Sequence, residues 1–311
     1  MVLWAVALVL LGPAAGFSQS ESDSGQGQAV VTVLPKHDGV LPASVTGQDL
    51  SVKINGKRAK ITAWKPFQSS ANSLELVVLI DSSARTSLGS QFSDIDRFIK
   101  GLPPNTKAAI AYMQFGRAVL AGVLSADHAQ VLRELHLTGG SPGSSASPYF
   151  CLSDLAAHWP SEDRAARREV LMVTDGVDNY ETGFDPENTY VQTAIRDSVR
   201  AGLVIYSIYW QNRGRSSTPY ETNTGQSYLN LVAEATGGKS FSMGTGNPVS
   251  FQPFLDELTR RFRNQYELGF TTGLTGKAEV EPLKLTLHAP GTEVDAPQQV
   301  FVFPVSQTQK Q

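Results

Sequence analysis

The chain has 311 residues, 41% of them apolar and 18% charged, a balance that can bury a sizeable core and argues against global disorder. Lysine plus arginine total 26 against 29 acidic residues, for a formal net charge of -3. No long run of either sign occurs, so a nucleic-acid footprint, which needs clustered basic charge, is not supported.

Residues 2–11 form a continuous apolar stretch, followed by Gly-Pro-Ala-Ala-Gly and then a polar segment. This reads as a signal peptide over residues 1–18, although no lysine or arginine precedes the apolar run. It implies a secreted or periplasmic protein. The stretch is too short to span a bilayer comfortably, so no stable membrane insertion is expected after cleavage. Cys151 is the only cysteine. It cannot close an intrachain disulfide, and its setting between Phe150 and Leu152 points to a buried, inert thiol.

Residues 19–28, rich in Gln, Ser and Gly, read as a disordered leader. Strand-like runs follow at 29–34, 50–54 and 59–64, the last two joined by Asn55-Gly56, whose tolerance of positive φ is a strong hairpin signal. Residues 29–67 are therefore expected to form a small β module. From Leu74 the pattern changes to strands alternating with helices. Residues 74–80 are nearly all apolar, as in a strand covered on both faces, and 169–173 repeat the pattern. Helices are expected over 89–101, 126–135, near 152–158, and over 190–201, 227–236 and 251–263. Further strands fall at 108–113, 118–124, 203–209 and 239–242. This alternation predicts an α/β fold with a doubly wound, mostly parallel sheet, Rossmann-like, over residues 72–263. Strands at 266–271, 283–288 and 299–303, within 264–304, are expected to pair with the N-terminal segment into one β module built from both chain ends. Residues 305–311 are left as a tail.

In an open α/β sheet, ligands bind beyond the carboxyl ends of the strands. Two strand ends carry an aspartate: Ile80-Asp81-Ser82-Ser83 and Val173-Thr174-Asp175-Gly176. A third loop, 139–147, offers Ser141, Ser144, Ser145 and Ser147. Carboxylate and hydroxyl oxygens from three loops are the donors a hard divalent cation takes. A strand ending in Asp-x-Ser, a later Ser/Thr loop and a strand ending in Thr-Asp-Gly resemble von Willebrand factor A (VWFA) domains. With Leu50-Ser51-Val52-Lys53-Ile54-Asn55-Gly56-Lys57 before the domain, residues 168–176 inside it and Asn264-Gln265-Tyr266-Glu267-Leu268-Gly269-Phe270 after it, the chain is similar to the bacterial VWFA-related family typical of Acidobacteria.

The resemblance implies a non-enzymatic protein that binds an unknown protein ligand through the loops after Ile80, Leu137 and Val173. It also implies a metal-ion-dependent adhesion site of the form Asp-x-Ser-x-Ser, Thr, Asp. Asp81, Ser83 and Asp175 match that pattern. Arg85 stands where the second serine belongs, and the separate threonine is missing, with Ser145 a weak substitute among the loop serines. A guanidinium offers no lone pair to a metal. Three arrangements follow. In one, Asp81, Ser83 and Asp175 hold Mg²⁺ or Mn²⁺, with Thr86 or a loop serine substituting. In another, Arg85 folds inward onto Asp81 or Asp175 and seals the site without metal. In the third, Arg85 points to solvent and Asp81 caps the following helix. A metal-free assembly scaffold and a serine hydrolase using Ser141, within Gly139-Gly140-Ser141-Pro142-Gly143, are the rival functions; the second lacks the strand-to-helix context its motif requires. Tyr209, Trp210 and Arg213, heading a polar loop over 211–226, are candidate partner contacts.

Overall fold

The computed structural model describes residues 24–37, 44–67, 73–140, 145–181, 183–212, 218–273 and 277–305. The expected signal peptide, Ser141, Ser144 and Arg213 lie outside the described residues.

In chain order the strands are β1 (Ser24–Pro35), β2 (Leu50–Ile54), β3 (Lys57–Arg58), β4 (Lys60–Pro66), β5 (Leu74–Asp81), β6 (Lys107–Gln114), β7 (Arg117–Leu120), β8 (Arg167–Thr174), β9 (Leu203–Tyr209), β10 (Ser240–Phe241), β11 (Gln265–Gly273), β12 (Glu279–Leu287), β13 (Thr292–Asp295) and β14 (Gln299–Pro304). The helices are α1 (Phe92–Lys100), α2 (His128–Arg133), α3 (Pro148–Ala157), α4 (Thr189–Ala201), α5 (Pro219–Thr236) and α6 (Gln252–Arg263).

Strands β5 to β10 form a six-stranded sheet in the order β10-β9-β8-β5-β6-β7. All neighbours in it are parallel except β6 and β7, which form an antiparallel hairpin at one edge. Every residue of β5 and β9 is buried. Their continuous apolar runs follow from covering by helices on both faces, since no position in such a strand is left to water. One core layer packs Ile95, Phe98 and Ile99 of α1 with Leu255 and Leu258 of α6. The other packs Leu152 and Leu155 of α3, Ile195 of α4 and Val232 of α5. On α1 the spacing of Ile95, Phe98 and Ile99 places all three on one stripe of the helix.

The remaining strands make an eight-stranded sheet in the order β3-β2-β12-β14-β1-β11-β4, with β13 also paired to β1. It rests against α4, α5 and α6. At the seam, a cleft of about 1190 Å³ is lined by Trp159, Arg164, Arg167, Arg168 and Phe301. This cleft lies at the amino ends of the parallel strands, where β8 and β9 begin. Glu169, buried there, is held protonated up to about pH 8 by burial, against which Arg167 acts with its Nε at 3.7 Å.

Several boundaries differ from those expected. Strand β1 begins at Ser24, inside the segment read as a disordered leader. Its backbone is paired with β11 from Ser24 to Thr32 and with β14 at Gly25 and Gln26, so ladder hydrogen bonds fix residues whose side chains carry no apolar pattern. Helix α5 begins at Pro219, eight residues before the expected start at Ser227. Thr218 and Glu221 make a capping box there, with Pro219 in the first turn, so much of the segment read as a polar loop is helical. The region of 89–101 divides into a 3-10 turn at Thr86–Gln91 followed by α1.

Candidate functional site

The order of the parallel sheet reverses between β5 and β8. β5 leads through α1 to β6 on one side, and β8 leads through α4 to β9 on the other. A crevice opens beyond the carboxyl ends of the strands at such a point. Asp81 is the last residue of β5, and Thr174 and Asp175 end β8 and begin its following loop, so the chain topology brings the two aspartates to one place.

Asp81, Ser82, Ser83, Ser145, Thr174 and Asp175 are all buried. Asp81 Oδ1 accepts the Ser83 amide N–H at 2.8 Å, a local turn that fixes the loop. Asp81 Oδ2 accepts the Thr174 hydroxyl at 2.9 Å and the Asn212 side-chain amide at 3.2 Å. The Ser83 and Ser145 hydroxyl oxygens are 3.3 Å apart, and the Ser145 amide N–H approaches Ser83 Oγ at 3.4 Å. Among the described loop serines, Ser145 is the one that meets Ser83. Ser147 instead caps α3, its hydroxyl accepting the Tyr149 N–H at 3.3 Å. Asp175 Oδ1 accepts the Val177 N–H at 3.0 Å.

The loops are held from outside the cluster as well. Thr138 donates to the Ser82 carbonyl at 2.8 Å and Tyr149 to the Gly176 carbonyl at 2.6 Å. Burial raises the Tyr149 phenol well above its ordinary range, aided by Asp175 and Asp178, so it is a fixed donor. Gly176 has φ +69°, and a Cβ on it would meet the Gly225 carbonyl oxygen of α5 at 2.5 Å. A Cβ on Gly225 would meet the Asp175 carbonyl oxygen at 2.1 Å. Two residues without side chains thus let α5 lie directly on the Asp175 loop.

Arg85 is half-buried and its Nε donates to the Asn212 backbone carbonyl at 3.2 Å. The backbone beside it is tied in the same direction, the Arg85 N–H reaching the Gln211 carbonyl at 3.0 Å. Thr86 is exposed at the start of the 3-10 turn. Asn212 and Thr174 were not singled out as site residues in the sequence. Thr174 sits in the quoted Val-Thr-Asp-Gly motif, whereas nothing local distinguishes Asn212.

Tyr209 and Trp210, expected as partner contacts, are buried at 0% and 2% exposure and cannot serve as such. The Tyr209 hydroxyl donates to Thr222 of α5 at 3.4 Å. Trp210 stacks edge-on against Phe251, and its Nε1 donates to the Arg85 carbonyl at 3.4 Å. The polar loop that seemed to expose them is shortened by the early start of α5. Cys151 is buried, and burial pushes its thiol far above the usual range, so it is an inert core side chain.

The donor set is oxygen-only, which suits a hard cation in kind. Asp81 already accepts three protein donors on its two oxygens, and Arg85, which stands where the adhesion-site motif has its second serine, donates from its Nε to the Asn212 carbonyl. Among the described residues, no group of three or more His, Cys, Asp or Glu side chains is arranged to hold a metal.

No protein-family model matches the chain, and no curated protein matches it. Among solved structures, it is similar to the SpRpn10 VWA domain, at 11% identity and TM-score 0.39, covering 60% of this chain and 94% of that one. BatB from Bacteroides thetaiotaomicron is similar to this chain at 14% identity and TM-score 0.41, covering 60% of this chain and 98% of that one. Manganese-loaded Plasmodium vivax TRAP protein is similar at 11% identity and TM-score 0.42, covering 76% and 96%. Among the described residues no helix is long and apolar enough to cross a membrane.

Proposed function

We propose that the protein is an exported, non-enzymatic binding protein that engages a protein partner at the carboxyl edge of its α/β sheet, around a degenerate metal-ion-dependent adhesion site. The observation that carries this reading is the state of the polar cluster at the switch point. Asp81, Ser83, Ser145, Thr174 and Asn212 are buried and bonded to one another, and loops pinned by Thr138 and Tyr149 surround them. That arrangement stiffens the loops at the edge. Rigid loops lose little conformational freedom on binding, which favours recognition.

Catalysis fits the cluster less well. A hydroxyl nucleophile needs a base within hydrogen-bond reach. His128, His136 and His158 are instead engaged with Thr106, Tyr112 and Asp154. Partner binding is assigned to the protein surface itself, a reading supported by Arg85 standing where the motif has its second serine and by the three donors already on Asp81. The amino-terminal apolar stretch supports export, in a secreted or periplasmic setting.

Site-specific photo-crosslinking tests the reading. A photoreactive amino acid is placed at Leu137 or Met243, both exposed at the carboxyl edge, or at Glu162 at the opposite edge. Each variant is irradiated in a culture filtrate of the source organism. Discrete adducts from Leu137 and Met243 and none from Glu162 are expected. Adducts from Glu162 alone would sink the proposal and favour an assembly role for the opposite edge.

A further inference from the structure

Beside the polar cluster, the same edge carries aromatic rings with no obvious reason to face water. Phe115 is 82% exposed and Tyr180 61% exposed. Phe150 lies between the segments that carry them. Its ring is 5.2 Å from that of Tyr180 and 4.8 Å, edge-on, from that of Tyr190, and the Tyr180 and Tyr190 rings are 6.0 Å apart. The tip of the β6–β7 hairpin rests on this group, since a Cβ at Gly116 would touch Phe150 Cβ at 3.5 Å. The Phe150, Tyr180 and Tyr190 rings thus pack together, and the exposed Phe115 stands at the hairpin tip beside them.

Phe115 is the telling member. Its φ is +49° and that of Gly116 is +76°, so the two-residue hairpin loop has positive φ at both central positions. Asn, Asp or Gly is favoured at the first of these, and a bulky side chain there is held at a conformational cost. An exposed phenylalanine gains no burial that would offset it. A strained, outward-facing aromatic beside other exposed rings is the expected composition of a contact surface.

The charge around the rings selects the partner. Between Arg168 and Arg196 the sequence has no lysine or arginine, while the loop after β8 carries Glu181, Asp185 and Glu187, all exposed. Arg117, close in sequence to Phe115, lines a separate depression with Asp154 and His158. The acidic loop is fixed in place: Glu181 accepts the Asn188 amide at 2.7 Å, and Asn179 donates to the Ala146 carbonyl at 2.5 Å. Aromatic faces bordered by carboxylates attract cationic side chains through both the ring quadrupole and the surrounding field. The same field repels phosphodiesters and anionic lipid headgroups.

We propose that the surface formed by Phe115, Phe150, Tyr180 and Tyr190 docks a basic, apolar-flanked segment of a partner protein, its lysine or arginine side chains lying over the rings and toward the acidic loop. This deepens the proposed function, because it names the chemistry of a partner at the same edge.

The test is fluorescence anisotropy on the full chain with two short labelled peptides, one of alternating arginine and leucine and one of alternating glutamate and leucine. The basic peptide is expected to bind and the acidic one not. Phe115→Asn, which suits the turn, and Tyr180→Ala, at an exposed site, should each weaken binding about threefold to fivefold. Glu181→Gln should weaken it less and flatten its salt dependence. Equal binding of both peptides, unchanged affinity in both ring variants, or binding to phosphatidylserine vesicles lost on Tyr180→Ala would each overturn the proposal. Edge-specific crosslinking that persists in the ring variants would refute the basic partner while leaving the binding edge standing; crosslinking from the opposite edge alone would remove both.

Discussion

Replacing Gly225 by alanine sets two physical effects against each other with opposite signs. Gly225 lies in α5, and in an unencumbered helix the change would stabilise by about 1 kcal/mol, because alanine loses less backbone freedom. Here the new Cβ would stand 2.1 Å from the Asp175 carbonyl oxygen and 3.1 Å from Val177 Cγ2. Relieving the first contact needs a displacement of about 1 Å, the remainder to a normal non-bonded approach. Neither side yields easily. Tyr228, Leu229 and Val232 of α5 are buried, and the Asp175 loop is tied by Val177 and Tyr149. Overpacking of this kind costs about 1–3 kcal/mol, and a 2.1 Å approach to a backbone oxygen belongs near the top of that range, so a net loss of about 1–2 kcal/mol is expected after the helix gain. Urea unfolding of Gly225→Ala beside the parent reads it directly, as a lower midpoint with an unchanged slope. A variant as stable as the parent, or more stable, would refute the reasoning, because helix propensity alone predicts that result.

Other consequences follow from single groups. Glu169 binds its proton more tightly in the folded chain than in the unfolded one. Its stabilisation is therefore full below the unfolded value near 4.5 and is lost as pH rises toward about 8. Glu169→Gln should remove a decline on the order of 3 kcal/mol between pH 5 and 8, measured by urea unfolding at each pH. An equally steep decline in the variant would show that another group titrates. Arg85→Ser should let calorimetry detect Mn²⁺ binding that the parent gives weakly or not at all; identical heats from both proteins would show that Arg85 is not what breaks the site. Thr218→Ala removes the cap of α5 and should cost about 1 kcal/mol by thermal or urea unfolding, with no loss meaning that the capping box contributes nothing.

The sequence makes the parallel strands legible because burial on both faces leaves an unbroken apolar run, as in Leu76 to Ile80. It also marks Asp81 and Asp175, since a carboxylate placed directly after such a run has to meet the crevice at the strand ends. What surrounds them depends on packing and is hidden. Ser145 differs from Ser147 only because Ser147 is taken up as the cap of α3. Asn212 reaches Asp81 across a long separation in the chain, and no local pattern encodes that contact. Tyr209 and Trp210 mislead because the end of a strand resembles a surface until the helices over it are known. The start of α5 was readable in Thr218-Pro219-Tyr220-Glu221, but its polar composition imitates a loop.

The outer sheet has a consequence for the order in which the chain assembles. Strand β1 leaves the ribosome early, yet its partners β11, β13 and β14 come from the far end of the sequence. During synthesis its unpaired backbone must wait while the intervening α/β segment emerges. Long-range pairing of this kind is slow to form. The outer sheet therefore closes last, and for that interval an extended strand edge is open to pairing with other chains.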